Sequence, residues 1–367
     1  MARRVVNISA AMAQIELIVI GASAGGLDGL LTIVKHLPTS LTACVIVVVH
    51  NNSSSQLPTI LARTSALPVA VPEDGDPIVP GRILVAPPDY HVLVVRGRVV
   101  LNRGPRENGF RPAIDPLFRT AARAYSGRVM GVILSGALDD GAYGMKVIKD
   151  AGGVTVVQDP AEAPIPSMPL SVIENVAVDH VASTAAMPAL IARLTSRGTS
   201  KGTVMPRRNK PDPQNPSDPT EVDEMMSAFG PPTGITCPDC GGALWEIRDG
   251  NLVRYRCHTG HQFSPESLET SQRTAVESAL WSAVRALEEQ ADLRKRMAER
   301  AERAGLQVVH EKFADAAQES HRQASAIRGL LFERPDPVPV TAPPRPSRRP
   351  TRAKTRGGHA KRARRTG

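Results

Sequence analysis

Aromatic side chains are scarce in this chain: its 367 residues include only six Phe, four Tyr and two Trp. A core must therefore be aliphatic, and recognition of single-stranded nucleic acid by base stacking has little material. There are four cysteines, too few for a disulfide scaffold in a chain of this length, and three of them cluster, which points to metal instead. Long apolar runs are also missing. The longest, such as Cys44–Val49, are strand-sized and far short of a membrane span. The start of the chain has basic residues but no sustained apolar segment after them, so we expect no secretory signal, no membrane insertion and a cytoplasmic location. The folded part lacks a charge of one sign as well. The formal net charge is +9, yet Glu333–Gly367 alone holds eleven Lys/Arg against two acidic residues, so everything before it is neutral. The basic character belongs to a tail, and no specific nucleic-acid binding is expected. No internal repeat is visible.

The remaining pattern divides the chain by composition: a lead (1–14), a main domain (15–195), a polar, proline-rich linker (196–233), a cysteine-bearing ribbon (234–263), a helical hairpin (264–332) and a basic tail (333–367) expected to be disordered. In the main domain, Ile15–Ile20, Ala43–Val49, Ile83–Ala86, Val129–Leu134 and Gly153–Val157 suit strands buried on both faces. Leu27–His36, Pro116–Ala124 and Tyr143–Ala151 between them suit helices. This rhythm predicts an α/β fold, a doubly wound, mostly parallel sheet. An inserted hairpin is expected at His91–Val95 and Val99–Arg103. The last folded segment predicts two antiparallel helices broken near Gly305.

The first strand runs into Gly21-Ala22-Ser23-Ala24-Gly25-Gly26 and then a helix. A dinucleotide turn would need a bare glycine where Ser23 stands, and an acidic residue where the second strand ends in His50. Gly-x-Ser-x-Gly instead fits a nucleophile turn, with the helix N–H groups pointing at the same spot to hold an oxyanion. Loops at the C-terminal ends of neighbouring parallel strands share one crevice. Ser23, His50 and the Asp139-Asp140 pair all follow such ends, which supplies a nucleophile, a base and a carboxylate to orient it. Taken alone, His50 could simply cap its strand, and either aspartate could cap the helix that follows. Residue types alone leave the choice between Asp139 and Asp140 open.

These residues resemble the catalytic domain of the chemotaxis protein-glutamate methylesterases, the CheB family. Gly21–Gly26 is similar to that family's serine turn, Val47–His50 to its strand-end histidine, and Leu134–Ala142 to its aspartate segment. Further landmarks are Glu73-Asp74-Gly75 with Pro80-Gly81, Ala86-Pro87 with His91, Arg111–Asp115, and Gln158-Asp159-Pro160 with Met168-Pro169. The resemblance covers about half the chain. It implies Ser23 as nucleophile, His50 as base and Asp140 as orienting carboxylate, with Ala24, Gly25 and Ala137 bordering the oxyanion and substrate position. Ala24 and Ala137 stand where the family usually has Thr and Met. The implied activity is hydrolysis of glutamate γ-methyl esters on a methylated chemoreceptor-like protein, with deamidation of glutamines by the same acyl transfer and no cofactor for catalysis. The family's usual phosphorylated receiver domain has no counterpart in the few residues before the first strand.

Cys237-Pro-Asp-Cys240 and Cys257-His258-Thr-Gly-His261 flank the predicted hairpin Leu244–Arg248 and Leu252–Arg256. The spacing fits a structural zinc ribbon. Cys237, Cys240 and Cys257 would be ligands with one histidine, preferably His261, whose spacing lets it turn back on the metal, and His258 is the alternative. Cys44, inside a strand, is expected to be buried and inert. The helical pair is expected to serve packing, dimerisation or docking of a signalling partner. The competing reading is a non-catalytic adaptor that keeps the fold while the ribbon and helices bind a partner.

Overall fold

Runs of β-branched and aliphatic residues with no polar side form the centre of the molecule. The computed structural model describes residues 14–50, 56–196, 226 and 228–332. The lead up to residue 13, linker residues 197–225 and 227, and the basic tail lie outside the described residues. Seven strands form one sheet: β1 (Leu17–Ala22), β2 (Cys44–Val49), β3 (Val69–Ala70), β4 (Ile83–Val85), β7 (Val129–Ile133), β8 (Val154–Gln158) and β9 (His180–Ala182). Their order is β3-β4-β2-β1-β7-β8-β9, and every neighbouring pair is parallel.

Alternate residues of each strand feed two cores. Ile18, Ile20, Val45 and Val47 meet α1 (Leu27–Lys35), α2 (Leu57–Thr64) and α6 (Met187–Thr195) on one face. Leu17, Val19, Ile46 and Val48 meet α3 (Ile114–Tyr125), α4 (Ala142–Asp150) and α5 (Ser167–Asn175) on the other. With both faces covered, the sheet can be aliphatic throughout, as parallel sheets require. The doubly wound fold is therefore as the sequence predicts. The antiparallel hairpin of β5 (His91–Val95) and β6 (Arg98–Asn102) packs on α3, where Thr120 Oγ1 accepts the Val94 N–H at 3.0 Å. Cys44 is fully buried, and burial pushes its thiol up to about 12, so it is held as the thiol.

Several elements depart from the sequence expectation. α2, α5 and α6 fall in stretches that contain Pro58, Pro169 and Pro188, and α3 starts at Ile114, two residues before Pro116. In each case the proline lies in the first helical turn, where the backbone N–H groups have no intrahelical partner and nothing is lost by removing one. The short strands β3 and β9 are edge additions too brief to show a pattern.

Beyond the linker, β10 (Leu244–Asp249), β11 (Leu252–Cys257) and β12 (Gln262–Phe263) form an antiparallel three-stranded sheet. Its core is small: Cys237, Leu244, Cys257, Phe263 and Leu268. Two long helices follow, α7 (Pro265–Arg303) and α8 (Gln307–Phe332), with Gly305 at φ +71° in the turn between them. Arg294 donates to Ser320 Oγ at 2.6 Å, and Trp281 meets Phe332 edge-on at 6.2 Å, so the helices run antiparallel. Among the described residues, no helix is long and apolar enough to cross a membrane.

Candidate active site and cysteine–histidine cluster

The sheet reverses its winding at β1, with β2 on one side and β7 on the other. Open α/β sheets bind ligands outside the strand ends at such a point. Ser23 follows β1, His50 follows β2, and Asp140 lies in the loop after β7. Two backbone bonds tie these loops together: Ser23 N–H donates to Ser135 O at 3.0 Å, and His50 N–H to Ala22 O at 3.1 Å. The serine turn needs its glycines. A Cβ on Gly26 would stand 2.7 Å from Ser135 O, and one on Gly136 would stand 2.8 Å from Ser23 Cβ. A cleft of about 590 Å³ opens here, lined by Ser23, Ala24, His50 and Phe110 with Leu27, Val49, Gln56, Leu57 and Ile60.

His50 and Asp140 are in direct contact, with Nε2 at 2.8 Å from Asp140 Oδ2 and both side chains 2% exposed. Asp140 also accepts Ile114 N–H (2.6 Å) and Asp115 N–H (3.2 Å) from the first turn of α3, and the Asn108 amide (3.0 Å). Burial pushes the Asp140 carboxyl up, but the His50 bond, the α3 N–H and the Asn108 amide together hold it below its ordinary value. An ionised carboxylate only accepts, so Nε2 carries the proton. The Nδ1 lone pair is then left free: this atom is buried and has no hydrogen-bond partner among the described residues. Phe110 stacks on the imidazole with ring centroids 3.8 Å apart and planes 7° apart. No hydrogen bond joins the Ser23 hydroxyl to His50 among the described residues; the two share the cleft.

The two aspartates have different environments. Asp139 accepts the Ser264 hydroxyl at 2.6 Å, and burial raises its pKa to about 8. Neither aspartate caps α4, because the cap position is Gly141, at φ +95°, with no side-chain bond. Asp115 sits behind the site with burial, then the Asp140 charge, raising its pKa to about 7. Leu138 adopts φ +62°, a left-handed conformation costly for a side chain of this kind, in the loop that delivers both aspartates. Of the residues expected around the oxyanion, Ala24 lines the cleft. Gly25 packs toward Pro164 and Ser135, and neither it nor the exposed Ala137 lines the cleft.

Phe110 and Asn108 were not legible as site residues. Phe110 is simply one of six phenylalanines, and Asn108 lies in an irregular segment whose partner comes from the far end of the chain. The α3 amides were hidden because that helix begins before Pro116.

The second cluster joins Cys237, Cys240, Cys257 and His261, whose ligand atoms all lie within 4.8 Å of one another. Cys240 Sγ is 3.6 Å from Cys257 Sγ, and Cys257 Sγ is 3.5 Å from His261 Nδ1. A tetrahedral zinc site has S···S and S···N edges of roughly 3.6–3.8 Å, so this donor set fits zinc in chemistry and in size. The Asp239 carboxylate stands 3.8 Å from His261 Nε2. His258 is exposed and is not one of the four.

A parallel α/β sheet with a serine turn and a buried histidine–carboxylate pair at its switch point is the kind of site a hydrolase uses. Comparison with known proteins narrows the class. Residues 18–191 match the family model for CheB methylesterase. A "putative protein-glutamate methylesterase/protein-glutamine glutaminase" from Leptospira interrogans is 41% identical over 182 residues, covering 49% of this chain and 94% of that protein. A "protein-glutamate methylesterase/protein-glutamine glutaminase 2" from Anaeromyxobacter dehalogenans is 40% identical over 185 residues, 50% of this chain and 54% of that protein. The solved catalytic domain of the Thermotoga maritima CheB methylesterase is 32% identical and fully covered, spans 50% of this chain, and gives a TM-score of 0.47. The chain belongs to the CheB methylesterase family. The family match ends before the three-stranded sheet and the long helices.

Proposed function

We propose that this enzyme hydrolyses glutamate γ-methyl esters on chemoreceptor-like signalling proteins by acyl transfer through Ser23, His50 and Asp140. The observation that carries the reading is the free, buried Nδ1 of His50, at the wall of the cleft that holds Ser23, with Nε2 fixed by an ionised Asp140. Relatives named as methylesterases and glutaminases support the substrate class.

Ser23 Oγ attacks the ester carbonyl as its proton passes to His50 Nδ1, and Asp140 stabilises the imidazolium. Ser23 and His50 line one cleft, and their hydrogen bond forms in the reacting complex, since free-enzyme geometry is commonly looser. The tetrahedral oxyanion meets backbone N–H groups of the turn between Ser23 and α1, of which Gly26 N–H is already held by Ser23 O at 3.0 Å. Collapse returns the proton to the leaving methoxide, methanol departs, and water repeats the sequence to release glutamate. With a glutamine substrate the leaving group is ammonia. The three cysteines and His261 hold a structural zinc. Four protein ligands leave no open position, and five buried residues are too small a core to hold a sheet without a staple. The long helices serve as the docking element for receptor or signalling partner, in the cytoplasm.

Methanol release from methylated receptor fragments tests the reaction. The wild-type chain should release it and react with a fluorophosphonate probe, and Ser23→Ala should do neither while keeping its fold. Full activity in that variant removes the assignment.

A further inference from the structure

The segment between β6 and α3 carries both side chains that touch the histidine–carboxylate pair, Asn108 on Asp140 and Phe110 on His50. It has no regular structure of its own and is fastened from two sides. Within the methylesterase domain, His91 bonds Pro105 O at 2.9 Å and receives Ala113 N–H at 3.3 Å. Glu107 accepts two bonds from the buried Arg119, at 2.7 and 2.9 Å.

The other fastening comes from outside the family domain. Asn108 N–H donates to Gln262 O at 2.8 Å, and Glu107 pairs with Gln262 as a parallel bridge, so the segment lies along β12. The α7 N-cap then closes on Asn108: Ser264 N–H donates to its Oδ1 at 3.0 Å, and Ser267 Oγ at 3.1 Å. These contacts fix the amide. Oδ1 faces two donors from α7, so the NH₂ group must face Asp140; flipping it would set an N–H against the Ser264 N–H and a carbonyl against a carboxylate. His261, a member of the cysteine–histidine cluster, is the residue immediately before Gln262.

We propose that Asn108 is a positioning residue for the reaction, and that the C-terminal sheet and the α7 N-cap, anchored by a metal at Cys237, Cys240, Cys257 and His261, hold it in place against Asp140. The C-terminal module is thus part of the catalytic centre, and metal loading reaches the His50–Asp140 pair through β12 and four hydrogen bonds. This inference rests on the acyl-transfer reading above.

The test uses the full chain with its zinc content measured. Asn108→Ala removes both arms of the amide, whereas Asn108→Asp keeps the acceptor for α7 and replaces the donor to Asp140 with a second carboxyl, which donates only while the pair shares a proton. Both should lower kcat on a generic ester roughly 10- to 100-fold, the loss expected for a hydrogen bond to a charged group, with KM within about twofold. The low-field Nε2 proton resonance of His50 should shift in both. Amide exchange across residues 262–268 should stay near wild type in Asn108→Asp, separating positioning from loss of docking. Removing zinc with a chelator should speed amide exchange across residues 105–112 as well as lowering kcat. An active wild type beside an Asn108→Ala of equal kcat overturns this inference alone. Zinc removal that leaves exchange at residues 105–112 unchanged, or a chain that takes up no zinc, overturns its metal limb. A wild type that neither hydrolyses esters nor takes the probe overturns the acyl-transfer reading and this inference with it.

Discussion

Replacing Asp140 with asparagine changes almost no volume and yet should disable the site. The carboxylate takes four donors: His50 Nε2 and Ile114 N–H on Oδ2, Asp115 N–H and Asn108 Nδ2 on Oδ1. An asparagine has one oxygen, so its NH₂ must face one of these two pairs. If it faces Asp115 and Asn108, two buried donors lose their acceptor, at about 1–3 kcal/mol each. If it faces Ile114 and His50, the imidazole can adapt only by moving its proton to Nδ1. Nε2 then accepts, but Nδ1 can no longer take the proton of Ser23. The first arrangement destabilises the fold by about 2–6 kcal/mol in total; the second, which strands only Ile114 N–H of these four donors, by about 1–3 kcal/mol. The second should lower kcat by about four orders of magnitude, as loss of the orienting carboxylate does in other triads. Urea unfolding read with steady-state ester hydrolysis separates the two effects, since kcat is measured where the variant is folded. A kcat within about tenfold of wild type would refute the tautomer reasoning.

Gly136→Ala should harm both packing and the serine turn, because the new Cβ would stand 2.0 Å from Met168 Sδ and 2.8 Å from Ser23 Cβ. A loss of about 1–3 kcal/mol with reduced ester turnover is expected, and unchanged melting and turnover would show that the turn has slack. Asp139 has its pKa raised by burial from 3.8 to about 8, so the stability it contributes is full below 3.8 and is lost as pH rises through about 8. Asp139→Asn keeps the acceptor for Ser264, so its Tm advantage over wild type should grow from pH 4 to pH 8 and then level off; a pH-independent difference contradicts the assignment. Cys240→Ser should abolish binding of about one zinc per chain and loosen the three-stranded sheet, read by metal analysis and circular dichroism; a freshly purified wild-type protein without metal would remove the zinc assignment.

The parts legible in the sequence share a cause. A strand buried on both faces must be aliphatic throughout, so β1, β2, β7 and β8 stand out in one dimension. The glycine-bounded Ser23 and the strand-ending His50 stand out because turn chemistry and strand ends are local. The sequence pattern starts α3 at Pro116 and shows no helix at Pro58, Pro169 or Pro188; in all four places the proline occupies a first turn, where the amides have no partner to lose.

By itself, then, the sequence determined the doubly wound sheet, the rim on which the serine, histidine and aspartate pair emerge, and three cysteines able to gather around a metal with one of two histidines; the fold brought His261 to them. Residue types left open which aspartate touches His50, the family resemblance implied Asp140, and only the tertiary structure shows why: both leave the same loop and differ in what packs against them, the α3 amides for Asp140 and the Ser264 hydroxyl for Asp139. It alone decided that Asn108, Phe110 and the start of α7 belong to one site. Asn108 and Ser264 lie 156 positions apart, and no local propensity records a hydrogen bond that closes only when two separately patterned segments pack together.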